Sequence, residues 1–381
     1  MTLQFEQINA TNALVAFCDQ AGDKDWLAVD TEFVRTRTYY ANLGLVQLAT
    51  EEACAVVDPL QVEDMSCLWE LLSEQRRTTV MHAAGEDIEI LRQKNSEAPS
   101  QLFDTQIAWS FLSQGDQIGY AGLIEHHFGV ELDKSLSRTD WLARPLSAAQ
   151  LQYAAADTYY LAKVYPELKA QLEQSKWADI FQQECDFQLS KRSRTANPDY
   201  AWKDIGIYSQ LNGQQRAVFA SVAKWRLQTA QKENIAVPFL LKDPALAEIS
   251  RMQPTNKRKL AEVEGVHPSV LRKRGQAILD AVAEGLEQAE SDWPPAIPRL
   301  DDHSGYKSWF KAAKKLVNER ANEVSVAPSM LGSRKQINEV FVWSCFVPDE
   351  LKSKLFKPEL LESWRSDVAG KELLELANDL R

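Results

Sequence analysis

At 381 residues the chain is two to three times a typical domain, and with 45% apolar and 25% charged residues it reads as an ordinary globular protein with sizeable cores. No apolar run approaches the roughly 18 residues that span a bilayer, and the N-terminal MTLQFEQINATNAL lacks the basic-then-apolar pattern of an export signal. The net charge of −11 argues against a polyanionic partner for the chain as a whole, yet residues 1–195 hold 16 Lys and Arg against 29 Asp and Glu, while the remainder holds 27 against 25.

A cytoplasmic location with no membrane partner is therefore expected. The acidic part is suited to holding cations and the rest to meeting phosphates. Cys18, Cys54, Cys67, Cys185 and Cys345 form no CxxC pair, and no histidine stands at zinc-ligand spacing to them, so they read as free thiols in a reducing compartment.

In chain order, LAVDTEF, LGLVQLAT and ACAVVDP are short β-rich runs joined by turn residues, which predicts a three-stranded meander. A helix over MSCLWELLSEQ, a strand TTVMH and a helix GEDIEILRQ follow, an alternation that predicts a sheet flanked by helices. After Pro145, Ser147 and Gln150 form a capping-box start signal, and an Ala-, Leu- and Tyr-rich helix is expected to run to Pro166. A second helix leads past Cys185 to the basic SKRSR, and TANPDYAW reads as a linker.

Beyond about residue 205 the strand signals nearly vanish. GQQRAVFASVAKWRLQTAQKEN, DPALAEISRM, NKRKLAEVEGV and LRKRGQAILDAVAEGLEQAE predict four or five amphipathic helices in one module. SDWPPAIPRL, with three prolines, predicts a second linker. YKSWFKAAKKLVNERANEV, RKQINEVFVWSCF and PELLESWRSDVAGKELLELANDL are again helical in pattern, so the two all-α modules suggest a diverged duplication.

Asp30 and Glu32 lie two apart on a strand, and period-2 alternation projects both from one face. Alone, the pair reads as a strand end meeting solvent. Downstream, Asp87 falls in the first turn of a helix, where acids also suit the helix dipole. Tyr153 and Asp157 in YAAAD are spaced i and i+4 on one helix face, and the alanines between them allow close approach to a sheet. Four gathered acids repel unless cations lie between them, and all-oxygen ligation suits Mg²⁺ or Mn²⁺. Two such ions about 4 Å apart form a site for phosphodiester hydrolysis, with Tyr153 one turn away to orient the attacking water.

The order DxE, an Asp after a strand and turn, then YxxxD resembles the signature of the DEDD exonucleases in their tyrosine-bearing subgroup. DTEFVRTRTYY, HAAGEDIEIL, FDTQIA, and KSLSRTDWLARPLS leading into YAAAD are similar to the ribonuclease D family. WRLQTAQKENIAVPFLLKDPALAEISRMQP, with GV and RKRGQAIL after it, resembles an HRDC domain (helicase and ribonuclease D C-terminal), and the last module resembles a strongly diverged one. The resemblance thus covers the whole chain.

It implies an α/β ribonuclease-H-like exonuclease domain over residues 1–195, a mixed sheet flanked by helices, followed by two all-α HRDC-like modules over 205–290 and 300–381. The implied activity is a metal-dependent 3′-to-5′ exoribonuclease, monomeric, that trims tRNA precursors and other small structured RNAs with 3′ tails and releases nucleoside 5′-monophosphates. Carried over residue by residue, the resemblance gives Asp30, Glu32, Asp87 and Asp157 as ligands of two divalent ions, Mg²⁺ or Mn²⁺, and Tyr153 as the residue positioning water. Of the neighbours Glu86 and Asp87, Asp87 matches the family position. His82 and Gly85-Glu86 stand where polymerase proofreading exonucleases usually carry an Asn and an aromatic residue, which favours the ribonuclease D branch. The alternatives are the same chemistry on DNA, and a nucleic-acid-binding protein with a degenerate nuclease domain. The complete set of four acids and Tyr153 speaks against the second.

For substrate contacts, Phe33 either stacks on a terminal base or is core. His82 either touches sugar or phosphate or is structural. KSLSRTDWLARPL supplies Lys134, Arg138 and Arg144 around Trp141, either a basic and aromatic mix suited to phosphates and bases or a solvated loop. Arg35 and Arg37 lie close after the acidic pair, and Asp104 reads as structural. Between residues 251 and 275, Arg251, Lys257, Arg258, Lys259, Arg272, Lys273 and Arg274 face only Glu262 and Glu264 as acids, a basic stretch able to hold an RNA backbone without sequence choice.

Overall fold

The computed structural model describes residues 2–379. By packing, the chain forms two compact units. One comprises Met1–Val34, Ala41–Arg194 and Ala321–Leu331; the other comprises Arg35–Tyr40, Thr195–Arg320 and Gly332–Arg381.

The first unit is built on six strands: β1 (Glu6–Ile8), β2 (Trp26–Val34), β3 (Asn42–Ala49), β4 (Cys54–Val57), β5 (Thr78–Met81) and β6 (Gln101–Asp104). Their order in the sheet is β1-β4-β3-β2-β5-β6. The central β2-β3-β4 is the predicted antiparallel meander, and β1, β5 and β6 add to it in parallel. Nearly every residue of β3 is buried, as expected of a strand covered on both faces. Pairing of β2 with β5 stops at Ala28, so the half of β2 that carries the acidic pair runs beyond its parallel neighbour.

Helices α1 (Thr11–Ala21), α2 (Ser66–Ser73), α3 (Gly85–Lys94), α4 (Thr105–Ser113), α5 (Tyr120–Phe128), α6 (Ala148–Glu173) and α7 (Ala178–Arg192) complete the unit. The capping box at Ser147 and Gln150 starts α6 as predicted. The expected stop at Pro166 is wrong: α6 continues to Glu173. An interior proline costs a helix about 3 kcal/mol, and here the buried Val164, Tyr165, Leu168 and Leu172 hold the helix on both sides of it. The segment Ala321–Leu331 joins this unit through Lys176 Nζ donating to Ser325 Oγ at 3.1 Å and Ser329 Oγ donating to Asp116 Oδ1 at 2.7 Å. Val326, Ala327, Met330 and Leu331 are buried with it.

The second unit is helical. α8 (Gly213–Glu233), α9 (Val237–Leu240), α10 (Asp243–Met252), α11 (Lys257–Ala261) and α12 (Pro268–Glu287) are the predicted module, with a core around Val218, Phe219, Leu246, Ile249, Leu260 and Ile278. α8 and α12 cross closely at Gly285, whose hypothetical Cβ would lie 2.5 Å from Val218 Cα. The expected linker TANPDYAW is partly core, because Trp202 is buried and packs on Tyr208, with ring centroids 4.6 Å apart. Helices Tyr306–Val324, Arg334–Cys345 and Lys371–Asn378 follow. The last expected helix is broken near Ser363, where φ is +51°, so PELLESWRSDVAGKELLELANDL is several short pieces.

A bulge shapes the rim of the sheet. Glu32 pairs with Leu45 and Phe33 with Leu43, which leaves Gly44 as the extra residue of β3. A Cβ on Gly44 would lie 2.6 Å from Trp141 O and 2.9 Å from Trp141 Cβ. Gly44→Ala is expected to lower stability by about 1–3 kcal/mol, read as an earlier midpoint in urea with an unchanged denaturant slope.

Candidate active site

The meander register carries Asp30 and Glu32 on one face of β2, and α6 lies against that face. Ala154 and Ala155 are fully buried on Leu45 and Val56, so the helix backbone sits close to the sheet. This brings Asp157 to the acidic pair: one oxygen from each of Asp30, Glu32 and Asp157 lies within 4.8 Å of the others. All three are half-buried, and among the described residues none forms an ion pair. Hard oxygen donors from three points at this spacing fit a divalent cation such as Mg²⁺ or Mn²⁺.

Asp87 comes from the other side. The N-terminus of α3 fills the space beside the overhanging end of β2, and Thr31 Oγ1 donates to Asp87 Oδ1. Asp87 is buried, whereas Glu86 is exposed. The turn before α3 is pinned by Asp104, which accepts from the backbone N–H of Ala83 (3.0 Å), Ala84 (2.9 Å) and Gln106 (2.8 Å) and caps α4. Asp104 is thus structural, as read from the sequence.

A cleft of about 240 Å³ opens over the acids, lined among others by His82, Tyr120, Leu132, Lys134, Ser137 and Tyr153. His82 is at the cleft, its Nδ1 3.0 Å from Thr105 Oγ1, whose own proton goes to Met81 O at 3.1 Å. Tyr120, Leu132 and Ser137 lie outside the sequence-based expectation. Nothing in their spacing marks them, since the loop and helix that carry them are placed by tertiary packing alone.

Two expected substrate residues have other roles. Trp141 is 1% exposed and packs in the core with Leu45, Val56 and Ala154, so it is shut off from any base. Its ring instead stacks on Tyr153, centroids 6.0 Å apart at 29°. Arg144 is bound twice to buried Asp58, Nε to Oδ2 at 2.6 Å and Nη2 to Oδ1 at 2.7 Å, and also donates to Gly44 O and Trp141 O. The fork closes the Trp141 loop onto the β3 bulge and leaves the guanidinium committed. Arg138 is exposed, and neither it nor the half-buried Phe33 lines the cleft. Arg35 and Arg37 belong to the segment that packs with the helical unit.

In comparisons with known proteins, a family described as 3′-5′ exonuclease matches residues 5–173, an HRDC domain family matches 215–282, and a family described as the C-terminal HRDC domain of ribonuclease D matches 304–373. The chain is 37% identical over 371 residues to a protein of Cronobacter turicensis named Ribonuclease D, covering 97% of this chain and 99% of that one. It is similar to the Escherichia coli protein of that name, 35% identical over 377 residues, 99% of each chain. The crystal structure of E. coli RNase D, described as an exoribonuclease involved in structured RNA processing, superposes with a TM-score of 0.90 at 35% identity over 99% of both chains.

The electrostatics of the acids are unusual. Burial first, then Asp157 and Asp87, push Asp30 far above the ordinary carboxylate range. Burial, Asp30 and Asp87 push Glu32 up to about 9, and burial followed by Glu32 pushes Asp157 well up. Burial raises Asp87 to about 6 despite its bond from Thr31. Tyr153 is raised by burial and then by Asp157, Glu32 and Asp30, so its hydroxyl keeps its proton. A group with a raised folded pKa stabilises below its unfolded pKa and loses that contribution as pH climbs through the folded value. In chelator, unfolding free energy is therefore expected to fall as pH rises from about 4.5 to about 9. Glu32→Gln should flatten that slope, and Mg²⁺ or Mn²⁺ should restore stability at the alkaline end, as read by urea titration across pH.

Proposed function

The chain belongs to the ribonuclease D family of 3′-to-5′ exonucleases, hydrolases of nucleic-acid ends, and from that premise we propose that it trims the 3′ ends of tRNA precursors and other small structured RNAs, releasing nucleoside 5′-monophosphates by two-metal-ion hydrolysis. The observation that carries the reading is the meeting of Asp30, Glu32 and Asp157 oxygens within 4.8 Å at the floor of a cleft shared with Tyr153 and Lys134. Residues 1–195, 205–290 and 300–381 are proposed as catalytic domain, HRDC domain and diverged HRDC-like domain of a monomeric, cytoplasmic enzyme. No helix among the described residues is long and apolar enough to cross a membrane.

Asp30, Glu32, Asp157 and, from beside Thr31, Asp87 would hold two divalent cations, Mg²⁺ or Mn²⁺. Bound there, such cations supply Lewis-acid stabilisation of a phosphodiester and a water of lowered pKa. Tyr153, protonated and held by its stack on Trp141, offers a hydroxyl that orients the attacking water. Lys134, the one cation among the described residues lining the cleft, meets the phosphate of the terminal nucleotide. Burial keeps the His82 imidazole neutral, so it serves the sugar as a hydrogen-bonding group and not as a charge.

In the basic stretch, Arg251, Arg258 and Arg274 are paired with Glu248, Glu262 and Glu233. The exposed Lys257, Lys259, Arg272 and Lys273 are therefore the residues proposed to meet the RNA body.

With end-labelled RNA bearing a short unpaired 3′ tail, Mg²⁺ or Mn²⁺ should give a ladder of single-nucleotide steps from the 3′ end that stalls at the duplex. Internal cuts, or RNA bound without product at any metal concentration, would overturn the reading. Asp30→Ala and Asp157→Asn should each lower kcat by roughly 10²–10³-fold or more while RNA binding stays measurable. Lys134→Ala should weaken RNA binding about tenfold, the worth of one hydrogen bond to a charged group. Changing Lys257, Lys259, Arg272 and Lys273 to Gln should lower the slope of log K against log salt by about 0.7–0.9 for each phosphate no longer neutralised, read by fluorescence anisotropy.

A further inference from the structure

Beneath the carboxylates lies a polar side chain that no catalytic motif uses. Gln47, in the middle of β3, is fully buried, and neither its Oε1 nor its Nε2 meets a hydrogen-bond partner among the described residues. Buried amides are nearly always satisfied, so an unsatisfied one flanked along its strand by Leu45, Val46, Leu48 and Ala49 calls for a reason.

Its register supplies one. Gln47 stands directly opposite Asp30 in the antiparallel pair with β2, and opposite Val56 in the pair with β4. Directly opposed residues share a face, with Cβ atoms about 4.5–5.5 Å apart. The Gln47 amide therefore projects to the side that carries Asp30 and Glu32, under α6, where its neighbours in the layer are Leu45, Val56, Ala154, Ala155 and Trp141. Of these only Trp141 carries a polar side-chain atom, and its Nε1–H is a donor, which leaves the Gln47 Nε2–H without an acceptor among them. The polar group that the register sets beside it is the Asp30 carboxylate.

We propose that Gln47 is a positioning residue for Asp30: its Nε2–H donates through one ordered water to one Asp30 carboxylate oxygen and leaves the other turned toward Glu32 and Asp157. The role rests on the reading of the three acids as a divalent-cation site. A ligating carboxylate held in this way binds its cation in one fixed orientation, and losing such a support commonly costs 10–100-fold in metal affinity or activity. Gln47 lies too deep to touch RNA, so its effect belongs to cation binding and kcat and not to KM.

The test uses the full-length protein with Gln47→Met, which keeps the side chain's length and removes the donor. Mn²⁺ binding is followed without nucleic acid by the electron paramagnetic resonance signal of the free ion, and kcat and KM are then measured on a tailed RNA. The expected result is about 10–100-fold weaker Mn²⁺ binding and a similar loss of kcat, with KM unmoved and a urea midpoint at or above that of the wild type. Wild-type Mn²⁺ binding and kcat in Gln47→Met would overturn the positioning role, provided that Asp30→Ala loses Mn²⁺. If Asp30→Ala binds Mn²⁺ as the wild type does, the metal-site reading itself fails. Should the Met variant not fold, Gln47→Leu is read by the same two measurements.

Discussion

The molecule is organised around a repulsion. Carboxylate oxygens from Asp30, Glu32 and Asp157 lie within 4.8 Å of one another, and at an effective dielectric constant of about 20 each ionised pair at that distance costs about 3 kcal/mol. A mobile chain would relieve this by moving the acids apart. Here that is prevented, because two acids are fixed on one face of a central strand and the third rides on a helix seated on alanines. Held together without a cation, the acids answer the repulsion by keeping their protons to higher pH, and a divalent cation is what lets them ionise in place.

The restraint comes from residues that carry no catalytic chemistry. Gly44 lets the Trp141 backbone press onto the β3 bulge, Arg144 locks that loop to Asp58, and Trp141 backs the ring of Tyr153. Asp104 ties the turn that leads to Asp87, and Thr31 reaches Asp87 from the far face of β2. Asp87 and Tyr153 are thus each held by a neighbour, Thr31 and Trp141, that is itself immobilised by burial.

What is legible in the sequence follows from local rules. Period-2 alternation places Asp30 with Glu32, i and i+4 spacing places Tyr153 with Asp157, and the Ser147 capping box sets the start of α6. What is illegible depends on partners far along the chain. An arginine beside a tryptophan reads as nucleic-acid chemistry until Asp58, 86 residues away, claims the guanidinium. The basic run at 251–275 looks uniform because Glu233 and Glu248 lie outside it or at its edge. β1 and β6, three and four residues long, are too short to show a period, and Pro166 shows its local cost without the buried side chains that offset it.

The grouping of Ala321–Leu331 with the first unit has a consequence for how the protein is made. All four acids and Tyr153 are synthesised within the first 157 residues, but the last segment of their unit, which packs at Lys176 and Asp116, is not complete until Leu331. At translation rates of about 5–20 residues per second, the nascent chain carries its complete set of reactive groups for many seconds before the unit that holds them is finished. The order of synthesis thus separates possession of the four acids and Tyr153 from completion of the unit that carries them.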